Sequence, residues 1–181
     1  MTHDASTGLL ILRLVVAIVM FFHGTQKLFG WWGGDGLDGA ERFFASQGFR
    51  PPRLMAVVAS LTETIGALLL GSGLLTMLGV AMLTGVLTNV SALHLRNGLD
   101  HRKHGFELEF ALLGSTVAVG LCTAGAWSLD NALHTPTRPW LGTAAVGLGI
   151  VSGLVIVATR DRRAASGARA PLAGAGSPPR P

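Results

Sequence analysis

The stretch FFHGTQKLFGWWGG, Phe21 to Gly34, closes a run that is apolar from Leu9 to Phe22 apart from Arg13. His23, Gln26 and Lys27 then arrive within five positions. A helix needs about 20 apolar residues to cross a hydrocarbon core about 30 Å thick. The run therefore predicts a first membrane span, Gly8 to Phe29. The polar residues at its end have two readings. They mark the membrane surface, or they form one wall of a polar site inside the membrane.

Composition supports a membrane chain. The 181 residues are 13% charged, against about 25% in soluble domains, and mean hydropathy is +0.50. The formal net charge is +4, and the basic residues lie mostly in loops and the tail. That suits an anionic membrane surface. With no basic helix and no aromatic–basic ladder, it argues against nucleic acid as a partner. The single cysteine, Cys122, excludes an intramolecular disulfide, a CxxC redox pair and a cysteine-rich metal site, and its apolar flanks read as packing. The leading MTHDASTG has no Lys or Arg, and no small-x-small cleavage site follows the apolar run, so a retained first helix is expected.

Working outward, four more apolar segments are long enough to span: Leu54–Leu75, Met77–Leu95, Phe106 to about Thr123, and Trp140–Thr159. The expected fold class is all-α: a polytopic helical membrane bundle with a four-helix core and a fifth transmembrane helix. Gly71-Ser72-Gly73 should turn the second span into the third as an antiparallel hairpin. The connection 30–53 carries the flexible GGDGLDG, then AERFFASQGF. The latter reads as a short amphipathic helix pressed to the interface by Phe43, Phe44 and Phe49. Pro51-Pro52 sets the start of the second span. Residues after Arg163 have no apolar period and read as a disordered tail. The expected division is 1–131 for the four-helix bundle, 132–159 for a loop and the fifth helix, and 160–181 for the tail.

The Lys/Arg distribution orients such a bundle. With five spans, Lys27, Arg42, Arg50, Arg53, Arg96, Arg102, Lys103 and the five arginines from Arg160 onward share one side, twelve residues in all, against Arg138 alone on the other. The C-terminus is then expected in the cytoplasm and the N-terminus outside. Trp31 and Trp32 fall at the inner interface and Trp127 and Trp140 at the outer one, where indole rings prefer to sit.

At about 1.5 Å of rise per residue, the polar residues of the spans gather in the inner half. His23 lies about 9 Å from the inner end of its span, Glu63 about 13 Å in, and Asn89 about 9 Å in. His94 is at the rim, and Glu107 and Glu109 open the fourth span. His23 and Lys27 are i, i+4 and share a face; Arg13 lies within about 40° of it. Facing lipid, a charge at mid-bilayer costs at least about 2.5 kcal/mol. Facing the interior, the stripe can pair with Glu63 and line a polar cavity. The candidate pocket residues are His23, Lys27, Glu63, Asn89, His94 and Glu107. Lys27 can instead snorkel to headgroups, His23 can cap a carbonyl, and His94 and Glu109 can be solvated. An intramembrane carboxylate such as Glu63 is a functional-site hypothesis by default. A metal site from His23, Glu63, His94 and Glu107 is set aside, because these come from four helices without HxxxH or ExxH pairing. Ala145, Gly149 and Gly153 form a small-residue face suited to helix packing.

The order of these residues resembles the DoxX family of bacterial membrane proteins. The resemblance rests on His23-Gly24-x-x-Lys27-Leu28-x-Gly30, on Glu63-x-x-Gly66 with Leu68-Leu69-Leu70-Gly71 and Gly73-Leu74-x-Thr76, on Gly105-Phe106-Glu107, and on Trp127-Ser128-Leu129-Asp130. It covers about residues 8 to 131. It implies a four-helix membrane bundle and a role in redox, since some relatives are subunits of quinone-reducing thiosulfate oxidation and others belong to membrane complexes handling thiol or oxidative stress. It places the family's polar positions at His23, Lys27, Glu63 and Glu107. The fifth helix and Arg-rich tail depart from the family pattern.

Three functions follow as expectations. The first is a membrane subunit of a quinone- or thiol/sulfur-linked oxidoreductase system, with quinone the candidate cofactor. The second is a scaffold holding soluble redox enzymes at the cytoplasmic face. The third is a small-solute or proton pathway, which the dry outer halves of the spans oppose. The bilayer is the expected surrounding, and self-association is left open.

Overall fold

The computed structural model describes residues 3–100, 102, 105–136 and 138–161. The tail from 162 onward, read above as disordered, lies outside the described residues. Among the described residues there is no strand. The helices are α1 (His3–Phe29), α2 (Gly36–Ser46), α3 (Pro52–Ser72), α4 (Thr76–His94), α5 (Glu107–Cys122), the single turn α6 (Leu129–Ala132) and α7 (Pro139–Ala158).

Local chemistry sets the ends. Pro52 opens α3 at a position where its missing N–H costs nothing. Gly73 ends it in the left-handed region, φ 70°, donating its N–H to Leu69 O at 3.0 Å. The chain then turns directly into α4, as the hairpin reading required. Four helices among the described residues are long and apolar enough to cross a membrane: Asp4–Phe29, Pro52–Ser72, Thr76–His94 and Trp140–Ala158. α5 has 16 residues, about 24 Å, and packs among them.

Each helix of this membrane protein has one face inward. On α1, Val16 and Met20 are buried while Ile11, Val15 and Ile18 are exposed, the one-sided stripe that a 3.6-residue period gives. α1 packs on α3, α3 on α4, α4 on α5, and α5 back on α1, so these four close a ring. Leu70, Val80, Leu83 and Val119 fill its centre. α7 docks outside the ring, against α4 and α5.

Glycines set two of these seams. A Cβ on Gly24 would stand 2.8 Å from Thr64 N, so α1 and α3 touch backbone to backbone there. The small-residue face of α7 does the same on α4: a Cβ on Gly149 would meet Thr84 Cβ at 2.6 Å, and one on Gly153 would meet Thr88 Cβ at 2.9 Å.

α2 departs from expectation. Phe43 is exposed, but Phe44 and Phe49 are buried with Ala40, Ala56 and Leu93. Two of the three phenylalanines thus pin α2 to α3 and α4 and are not free to press into lipid. Ring packing at 5.4 Å between Phe44 and Phe49 adds to this small second core.

Candidate functional site

Lys27 ends α1 and Glu63 sits mid-way along α3. The Gly24 seam lets the two helices come close enough for their side chains to meet. Lys27 Nζ donates to both Glu63 carboxylate oxygens, at 2.5 and 2.7 Å. The carboxylate is 2% exposed and the lysine side chain 33%, so the pair has one buried end and one wet end. The bidentate geometry balances part of the cost of burying the carboxylate.

The pair lines a cleft of about 580 Å³ between α3, α4 and α7, within the usual 300–1,000 Å³ range of small-molecule sites. Lys27, Glu63, Asn89 and His94 line it. Most of the remaining wall is apolar: Met82 and Val86 from α4, Val58 from α3, and Leu148 and Ile156 from α7. Asn89 is 7% exposed, and its Nδ2 has no hydrogen-bond partner among the described residues.

Four of the six expected pocket residues are therefore brought together. His23 does not line the cleft. It is half-buried on α1, within electrostatic range of Lys27, Glu63 and Glu109. Glu107 is exposed. Its neighbour Glu109 takes the inward place: His94 Nδ1 lies 3.2 Å from Glu109 Oε1, joining the end of α4 to the start of α5. Among the described residues, no group of three or more His, Cys, Asp or Glu side chains has the spacing to hold a metal.

Arg13 goes elsewhere. It is 1% exposed and about 21 Å along α1 from Lys27, too far to join Glu63. Its Nε donates to Leu70 O at 2.9 Å and its second terminal nitrogen to Gly71 O at 3.0 Å. Its first donates to Ala124 O and Trp127 O at 2.5 and 3.1 Å. The guanidinium thus binds carbonyls in the last turn of α3, a position that favours a cation, together with two in the loop that follows α5. Asp130 complements it at the start of α4, accepting from Leu75 N and Thr76 N, both at 2.8 Å, and from Thr76 Oγ1 at 2.7 Å. This holds Leu75 at φ 47°, a region leucine rarely adopts. Asp130 was not singled out from the sequence as a site residue. Its only signal was its place in Trp127-Ser128-Leu129-Asp130.

No curated protein and no solved structure matches this chain. A family profile does match, that of DoxX, over residues 8–95. The matched stretch holds His23, Lys27, Glu63, Asn89 and His94, and stops short of Glu107, Glu109, Asp130 and the α7 wall of the cleft. Residues 8–95, which run from α1 to the end of α4, are thus similar to the DoxX family.

Proposed function

We propose that this DoxX-like protein is a membrane subunit of an oxidoreductase system and that it handles a quinone where Lys27 and Glu63 line the cleft. The observation that carries the reading is the half-buried ion pair in the wall of a mostly apolar cleft. A quinone ring offers carbonyl acceptors, and its reduction consumes two electrons and two protons. Lys27 Nζ can donate a hydrogen bond to a carbonyl oxygen, and Glu63 can hold or pass a proton. His23, His94 and Glu109 add titratable groups around that pair.

The chain has one cysteine, Cys122, so it does no dithiol chemistry of its own. The electrons come from a partner, a soluble redox enzyme docked at the cytoplasmic face. The Lys/Arg bias supports assigning that face to the Lys27–Glu63 end, with the C-terminus on the same side. On this view residues 1–131 supply the bundle and the later helix adds a wall.

Native purification followed by lipid extraction and mass spectrometry tests it. Near-stoichiometric quinone is expected in the wild type and little in Glu63→Gln of unchanged elution. Wild-type protein free of quinone would overturn the reading and leave Lys27–Glu63 as a pair fixing helix register, as in a scaffold.

A further inference from the structure

We infer that the cleft between α3, α4 and α7 is a groove for a carbonyl-bearing lipid, with Asn89 Nδ2 donating to the carbonyl oxygen and the apolar chain running along α7. This deepens the quinone reading and rests on its premise that the cleft receives a membrane-soluble ligand.

Three observations lead there. First, buried polar groups are paired in more than about 90% of cases. Several on α4 are not, among them Thr84 Oγ1, Thr88 Oγ1 and Asn89 Nδ2. Of the unpaired groups among the described residues, only Asn89 belongs to a residue that lines the cleft. A donor that is 93% buried in such a wall calls for an acceptor from outside the chain. A trapped water needs two to four polar partners, and most of the cleft's lining is apolar.

Second, the cleft opens sideways. Val58, Leu78 and Leu148 line it and are 45%, 50% and 65% exposed on the flank of the bundle. That flank faces hydrocarbon, so a ligand arrives from the bilayer and must be lipid-soluble.

Third, the lining runs along α4 from Leu78 to His94, about 24 Å. That suits a chain with one polar head better than a compact solute. The outer wall is α7, through Leu148, Ser152 and Ile156. Its position is fixed by the Gly149 and Gly153 seam, and a Cβ on Gly153 would stand 3.2 Å from Asn89 N. The helix that lies beyond the family match thus backs the residue that carries the unpaired donor.

A quinone and an acyl lipid share this carbonyl chemistry, and the test separates them. Full-length wild type, Asn89→Leu and Ser152→Phe are purified identically from native membranes. Quinones and acyl lipids retained after exchange into one defined detergent are then quantified per protein. A decyl-benzoquinone and a medium-chain fatty acid are titrated back, with the probe's carbonyl stretch followed in the infrared. Asn89→Leu removes the donor while keeping the same side-chain branching, and Ser152→Phe fills the groove and leaves the amide in place.

Both variants are expected to lower retention and probe affinity by about tenfold, which corresponds to about 1.4 kcal/mol. The bound carbonyl stretch should rise in Asn89→Leu. If the retained molecule is a quinone, groove and redox role stand together. If it is an acyl lipid and no quinone is found, the groove stands and the redox role falls. Retention at the wild-type level in both variants overturns the groove, as does a wild type that holds neither class. Should Asn89→Leu fail to fold, unchanged binding in Ser152→Phe is by itself enough to overturn it.

Discussion

Lys27 and Glu63 stand 36 positions apart and meet in a two-pronged ion pair whose lysine end is wet and whose glutamate end is dry. The asymmetry has an energetic consequence. Removing the lysine strands a charge that is 2% exposed, whereas removing the carboxylate leaves an ammonium that can still reach water.

Lys27→Met should therefore destabilise more than Glu63→Gln. Stranding a buried charge costs about 3–5 kcal/mol, and the opposite change should cost less than half of that. A double-mutant cycle on thermal unfolding in detergent should show a coupling of at least about 1 kcal/mol. Equal losses and additive effects would mean the pair does not exist in the membrane.

Arg13 gives a second test. Its guanidinium donates to four carbonyls. Arg13→Met strips these carbonyls of that donor in a buried site and should cost about 1–3 kcal/mol for each one left unpaired. Arg13→Lys should recover only a minor part, because a point charge cannot match a planar fork. A lysine variant as stable as wild type would show that charge alone, not the spread of donors, holds this end together.

The seam between α4 and α7 can be read by cross-linking. A Cβ on Gly85 would stand 2.9 Å from Ser152 Oγ. In a Cys122→Ala background, Gly85→Cys with Ser152→Cys should form a disulfide in membranes under mild oxidation. Adding Gly149→Leu, which drives a side chain into Thr84, should abolish it. A cross-link that survives that leucine would place α7 elsewhere.

Orientation is decided by labelling. Ala45, on α2, and Ala132, at the other end of the bundle, are both exposed. With Cys122 replaced, an impermeant maleimide added to intact cells should label Ala132→Cys and spare Ala45→Cys, as the Lys/Arg bias expects. The reverse pattern would put the Lys27–Glu63 pair on the outer side and remove the proposed docking of a cytoplasmic partner.

What the sequence could and could not reveal follows from the range of each signal. The long helices were legible because apolar runs and the Gly73 and Pro52 punctuation are local. Lys27 with Glu63 was legible because depth along two helices is simple arithmetic. Arg13 was misplaced by the same arithmetic used halfway: its rotational phase matches Lys27, but the axial distance puts it at the other end, and its acceptors are backbone carbonyls, which carry no residue signature. Glu107 and Glu109 differ by about 200° of helix phase. α5 is apolar on nearly all sides, so nothing in its pattern tells which carboxylate turns inward. Phe44 and Phe49 read as interfacial because an amphipathic helix looks the same whether its apolar side meets lipid or another helix.

The clasp between Arg13 and the far end of the chain also orders events during synthesis. α1 leaves the ribosome with a guanidinium that has no partner in its own helix. Leu70 and Gly71 arrive next, Ala124 and Trp127 much later, and the counter-charge of Asp130 last. Until residue 130 has been made, the first helix carries an incompletely neutralised charge. The stretch that matches the family profile, residues 8–95, therefore does not contain all the partners of its own first helix. Arg13 is completed by segments that lie beyond that match.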